Sequence, residues 1–321
     1  MPASPIVIAH RGASGYLPEH TQEAKALAYA MGADFLEQDV VASRDDQLIV
    51  SHDIHLDRVS DVASRFPDRH RDDGRFYVRD FELQELQTLN IHERLNDDGS
   101  AAAFPGRFPL HKGRFRIVTL AQEIEMIQGM NRATGRNVGI YPEIKAPAWH
   151  RAEGVDVSAL LLAMLDDYGY RSAADPVFVQ CFDAAEVRRL KNELDCQLPL
   201  IQLIGENSWA ESDTDYDYLR SEAGLREIAA TAIGIGPWIG QLYTLANIDG
   251  QPVSTGLVKL AQQLGLAVHP YTFRADAVPP GFASYAALVQ WFVLELKVDG
   301  LFTDFADKTL EALQLRPLAR S

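Results

Sequence analysis

Nine short apolar runs punctuate this chain, and the spacing between them limits the fold more than any other feature. They cover Ile6 to His10, Phe35 to Ala42, Leu48 to His52, Val138 to Ile144, Val177 to Phe182, Leu198 to Ile204, Ala232 to Trp238, Leu266 to Thr272 and Leu301 to Phe305. Helical segments fill most of the gaps; the first, Thr21 to Met31, carries Thr21 as its N-cap and Gly32 as its stop. Strands alternating with helices imply a parallel sheet with crossover connections. One gap is different: Ser43 to Gln47 is too short for a parallel crossover, which takes a dozen or more residues. The third run therefore folds back antiparallel, and eight parallel strands remain, the number that closes a (β/α)8 barrel. A turn centred between Asp45 and Asp46 sets His52 opposite Asp39, with both side chains on one face.

The alternation breaks between about residues 54 and 116, where charged, turn-forming stretches such as Arg65 to Arg75 and Asn96 to Ser100 occur. This reads as an insertion capping one end of a single domain spanning 1–321, ordered by Phe66, Phe76, Tyr77, Phe81, Phe104 and Phe108.

Charge narrows the partners. With 30 Lys and Arg against 45 Asp and Glu, the net charge is -15, so the chain as a whole repels nucleic acid and anionic membranes. Any phosphate must bind in a locally positive pocket. No apolar run is long enough to cross a bilayer, and the first strand starts too near Met1 for a signal peptide to precede it. Cys181 and Cys196 are too few for a disulfide framework and are expected free.

The polar residues inside these apolar runs carry the chemistry. Glu37 and Asp39 alternate along one strand and so project to the same side, where an unshared pair of buried carboxylates would repel. Glu143 and Lys145 alternate in the same way on a later strand. Three carboxylates without cysteine favour a hard ion, Ca2+ or Mg2+. His10 ends the first strand before Arg11-Gly12-Ala13-Ser14-Gly15, a turn whose amides and guanidinium suit a phosphate. His52 reaches the same region through the hairpin. Two imidazoles supply the acid and base that phosphodiester cleavage requires, and Arg11 and Lys145 supply positive charge for the phosphate. Gln180 and Phe182, and with them His269, end later strands and are expected to wall the pocket. His20 is read as loop structure, and His55, His70, His92, His111 and His150 as surface or insertion residues.

At these positions the chain resembles the bacterial glycerophosphodiester phosphodiesterases of the longer, periplasmic type. The similarity runs through His10 to Thr21, Gly32 to Asp39, Ser51-His52-Asp53, Leu56 to Val59, Pro105 to Pro109, Ile140 to Pro147, Val268 to Thr272 and Gly300 to Phe305. The resemblance implies a TIM barrel with a small insertion, with Ca2+, or Mg2+ in some relatives, held by Glu37, Asp39 and Glu143. It implies His10 and His52 as the acid-base pair and a small-molecule substrate such as glycerophosphocholine or glycerophosphoethanolamine, cleaved to sn-glycerol 3-phosphate and an alcohol. It also implies a periplasmic location, while the lack of a leader ahead of Pro5 leaves the cytoplasm open. Two other readings stand beside it: a phosphodiesterase of the same fold acting on a lysophospholipid or phosphoinositide, and a barrel kept only as a binding scaffold.

Overall fold

The computed structural model describes residues 5–246 and 250–314. Eleven strands are numbered in chain order: β1 Ile6–Ala9, β2 Phe35–Ala42, β3 Leu48–Val50, β4 Gly139–Ile144, β5 Val179–Cys181, β6 Leu200–Ile204, β7 Gly234–Pro237, β8 Tyr243–Leu245, β9 Pro252–Ser254, β10 Ala267–Val268 and β11 Gly300–Thr303. Eight of them are parallel neighbours in the order β10-β7-β6-β5-β4-β2-β1-β11. The seam between the two ends is closed by backbone hydrogen bonds, Phe302 N to Pro270 O at 3.0 Å and Phe273 N to Phe302 O at 2.8 Å. With helices between the strands, this is a nearly closed TIM barrel. All nine apolar runs contain a strand; the hairpin of β8 and β9 carries no comparable apolar run and was not foreseen.

The first helix shows how local chemistry sets the elements. It spans Gln22–Met31, Thr21 Oγ1 accepts from Ala24 N, and Gly32 ends it at φ +104°. Inside the barrel Ile8, Tyr141, Ile201 and Phe302 form one apolar layer, and a larger core fills the space between strands and helices. Fully buried Lys25, from that first helix, donates to Glu123 at 2.8 Å and to the backbone oxygen of Glu37 at 2.6 Å, tying helix to β2.

The hairpin register departs from the expectation. β3 pairs with β2 as Val40 with Val50, Val41 with Ile49 and Ala42 with Leu48. The connection holds an odd number of residues, closed by Ser43 N to Gln47 O at 2.9 Å, with Asp46 in the left-handed region at φ +57°. That is the three-residue turn with a left-handed third position, in place of the two-residue turn assumed from the sequence. Asp39 therefore bonds to Ser51, whose N–H donates to the Asp39 carbonyl at 2.9 Å, and His52 lies beyond the paired strand.

Residues 54–116 form short helical turns, Val62–Arg65, Val78–Asp80 and Leu83–Leu86, around their own core. Leu56, Val62, Phe76, Phe81, Leu86, Leu89 and Phe115 pack there onto Val41 and Ile49 of the hairpin. Phe66 meets Phe81 with centroids 5.3 Å apart, and Tyr77 stacks on Trp149.

Candidate active site

The carboxyl ends of the parallel strands open into a cavity of about 280 Å³ whose lining includes His10, Arg11, Glu37, Asp39, His52, Glu143, Gln180 and Phe182. Strand alternation accounts for most of these: β2 and β4 are in register with Asp39 beside Glu143, and β4 and β5 with Glu143 beside Gln180. Lys145 sits at the edge, donating to Glu143 at 2.7 Å and lying 3.5 Å from His52 Nε2. His52 reaches the cavity from the segment after β3, not by facing Asp39 across a ladder. His269 lies elsewhere: buried one layer deeper, it bonds to the Tyr141 hydroxyl at 2.9 Å and packs edge-on to Phe178, outside the cavity lining.

The turn after β1 is shaped by its backbone. Arg11 adopts φ +59° and its N–H donates to Glu37 Oε2. Gly12 follows at φ +87°, and a Cβ there would stand 2.8 Å from the Ala24 carbonyl carbon, so only glycine lets the turn lie against the first helix. The Arg11 guanidinium bonds to Glu19 at 3.0 Å and stands 3.5 Å from Asp39.

Both imidazoles are built alike. His10 Nδ1–H donates to Asp304 Oδ1 at 2.6 Å, and Asp304 Oδ2 accepts from Arg107 at 2.6 Å and Arg274 at 2.9 Å. His52 Nδ1–H donates to Asp53 Oδ1, and Asp53 Oδ2 accepts from Arg94 at 2.7 Å. In each case an Nδ1 partner leaves Nε2 as the working nitrogen. Burial, reinforced by Arg11, lowers His10 to about 4 and His52 to about 3. Burial would raise Asp304, but Arg274, His10 and Arg107 hold it well below the usual carboxylate range. Both rings are therefore neutral at neutral pH before an anion enters.

Among the carboxylates, burial and the neighbouring Asp39 charge push Glu37 well up, and burial raises Glu143 to about 8 against the opposing pull of Lys145. Asp39 goes the other way: burial opposes ionisation, but the hydrogen bond from His20 and the Lys145 charge hold it ionised. Asp39 Oδ1 and Gln180 Oε1 are buried without a hydrogen-bond partner among the described residues. His20, Glu37 and Asp39 each offer a ligand atom within 4.8 Å of one another, a group able to hold a metal ion. His20, expected to be loop structure, donates from Nε2 to Asp39 Oδ2 at 2.7 Å, because φ +59° turns it back over β2. His150 is likewise no surface residue: its Nε2 accepts from Ala42 N at 3.1 Å in the core.

Sequence reasoning assigned no role to Asp304, Asp53, Glu19, Arg94 or Arg107. Asp53 adjoins His52 and Asp304 directly follows the last strand, signals that were present. Arg94 and Arg107 lie in the aperiodic insertion, where no pattern points inward.

A sequence profile of the glycerophosphoryl diester phosphodiesterase family matches residues 10–308. The chain belongs to this family. It is a phosphodiester hydrolase, and named glycerophosphodiester phosphodiesterases are similar over nearly its whole length. That of Haemophilus influenzae is 44% identical, covering 98% of this chain and 91% of the relative. That of Treponema pallidum is 38% identical, covering 94% and 90%. Two solved structures share the fold at lower identity. A glycerophosphodiester phosphodiesterase of Agrobacterium tumefaciens has TM-score 0.61 at 19% identity, covering 96% of this chain and 99% of its own. An Oleispira antarctica phosphodiesterase, solved with the product sn-glycerol-3-phosphate, has TM-score 0.66 at 19% identity, covering 97% and 98%. No helix among the described residues is long and apolar enough to cross a membrane.

Proposed function

We propose that this chain hydrolyses glycerophosphodiesters, such as glycerophosphocholine and glycerophosphoethanolamine, to sn-glycerol 3-phosphate and an alcohol, with His10 and His52 as the acid-base pair. The observation carrying this reading is the convergence of two imidazoles, each anchored through Nδ1 by a carboxylate, on one cavity holding three buried carboxylates. Arg11 and Lys145 flank that space and would hold the phosphate anion, whose charge in turn raises both imidazoles toward the range where one gives a proton and the other accepts one. One Nε2 takes the proton of the attacking hydroxyl, from water or from the substrate's own neighbouring alcohol. As that oxygen bonds to phosphorus, the P–O bond to the alcohol breaks and the other imidazole protonates the departing oxygen. A cyclic phosphate formed by internal attack is opened by water with the two roles exchanged.

Glu37, Asp39 and Glu143 would hold a divalent cation, and the residues fit one: the orphaned Asp39 Oδ1 and the unfavourable crowding of Glu37 and Glu143 are what a hard ion relieves. When bound, Ca2+ or Mg2+ supplies charge neutralisation at the phosphoryl oxygens. His20 would orient Asp39 through Oδ2. The test couples glycerol 3-phosphate release to its dehydrogenase over a panel of glycerophosphodiesters. Turnover should stop with a chelator and return with Ca2+; no glycerol 3-phosphate, or chelator-resistant turnover, contradicts the reading.

A further inference from the structure

Lys25 is fully buried and takes no part in the acid-base chemistry of the cavity. An ammonium taken out of water is costly, and its pairing with the equally buried Glu123 offsets that cost without making the pair more stabilising than two apolar side chains would be. The backbone of β2 supplies a reason for it. The ladder between β1 and β2 ends with Ala9 beside Leu36, where β1 turns away into Arg11 and Gly12. The next carbonyl along β2, that of Glu37, accepts from Lys25 Nζ at 2.6 Å. An ammonium has three donors, and the remaining contacts go to Glu123 Oε1 at 3.1 Å and Oε2 at 2.8 Å.

The start of the same helix grips the other carboxylate of the strand. His20 precedes the N-cap Thr21, and its Nε2–H donates to Asp39 Oδ2 at 2.7 Å. The two grips differ, since His20 holds a side chain whereas Lys25 holds the backbone from which the Glu37 side chain springs. The Arg11 N–H fixes the far end of that side chain at Oε2. We propose that Lys25 is a positioning residue for the divalent cation, setting Glu37 through its carbonyl while Glu123 cancels the ammonium charge, an inference that rests on the metal reading above. A lone ammonium so close to the carboxylates would compete with a cation for them; paired with Glu123, it anchors the strand with little net field.

The discriminating variant combines Lys25→Met with Glu123→Gln. It removes one charge of each sign, strands no buried ion and keeps a polar group beside Gln38. A pair that only filled the core would leave Ca2+ affinity as it was, whereas loss of the anchor should raise the Ca2+ Kd by roughly 10- to 100-fold. Calorimetric titration of metal-free protein reads this, with the metal-free thermal midpoint expected to stay close to wild type. Unchanged or tighter Ca2+ binding by the folded double variant overturns the proposal. Should that variant not fold, the wild type decides: the nitrogen resonance of the buried Lys25 ammonium should shift as Ca2+ saturates the protein, and a resonance that Ca2+ leaves in place overturns the proposal. If wild type itself binds neither Ca2+ nor Mg2+, the metal reading fails and this inference falls with it.

Discussion

Each imidazole in the cavity is the first member of a chain that runs through a carboxylate to an arginine of the capping segment: His10 to Asp304 to Arg107, and His52 to Asp53 to Arg94. The carboxylate fixes the tautomer and the guanidinium keeps the carboxylate ionised, so Asp304→Asn should act on the proton-transfer step more than on binding. A kcat lowered by about 10²-fold with KM within a few-fold is expected, read from steady-state kinetics. His10→Ala and His52→Ala should each lower kcat by at least about 10²-fold at unchanged thermal midpoint; wild-type turnover in either removes that ring from the chemistry. Glu93 gives a separate prediction from pH. Burial, with the nearby Glu19 charge, raises it to about 8, and its Oε2 has no partner among the described residues. The folded chain therefore binds a proton that the unfolded chain releases between about pH 4.5 and 8, so this group's contribution to stability falls as pH rises through that window. Glu93→Gln should flatten that slope, with its advantage over wild type growing up to about pH 8 in thermal midpoints taken across the window.

Among the elements, β2 shows how much of the site was legible. The alternation that aims Glu37 and Asp39 inward and Gln38 outward can be read from an eight-residue run, because a period of two has only two phases. Gln38 is fully buried on the opposite face, its Oε1 accepting from Tyr141 N at 3.1 Å, close to Glu123. Glu37→Gln should weaken Ca2+ binding in a calorimetric titration. Gln38→Glu should instead lower stability by about 2–4 kcal/mol by setting a second carboxylate beside Glu123, as measured by denaturant unfolding; equal loss of Ca2+ affinity in both would show the phase is wrong. The hairpin was less legible. Whether two or three residues make the turn depends on Asp46 accepting a left-handed conformation, a local backbone choice that the composition of Ser43 to Gln47 does not decide. A shift of one residue there moved His52 off the paired strand, and it lines the cavity from the segment beyond, where Arg94 holds the adjoining Asp53.

At the scale of the molecule, the barrel followed from counting strands, whereas the cap did not, since its order comes from long-range packing with no period to read. Its core is carried by residues such as Phe81, fully buried against Phe66 and Arg69. Phe81→Ala should destabilise by about 3–5 kcal/mol and make residues 54–116 the first segment cut in limited proteolysis, with activity lost as the cut appears. His20 escaped the sequence reading for a related reason: nothing in the turn Leu17-Pro18-Glu19-His20 marks the left-handed residue that folds the ring onto Asp39.

Because the capping segment supplies Arg94 to Asp53 and Arg107 to Asp304, the eight-stranded cylinder alone does not hold either carboxylate in full. Trimming the chain down to the bare scaffold would take Arg94 from Asp53 and leave Asp304 with Arg274, so the orientation of His52 would suffer more than that of His10. Anyone transplanting this mouth onto another cylinder must carry over Arg94 and Arg107 with the histidines.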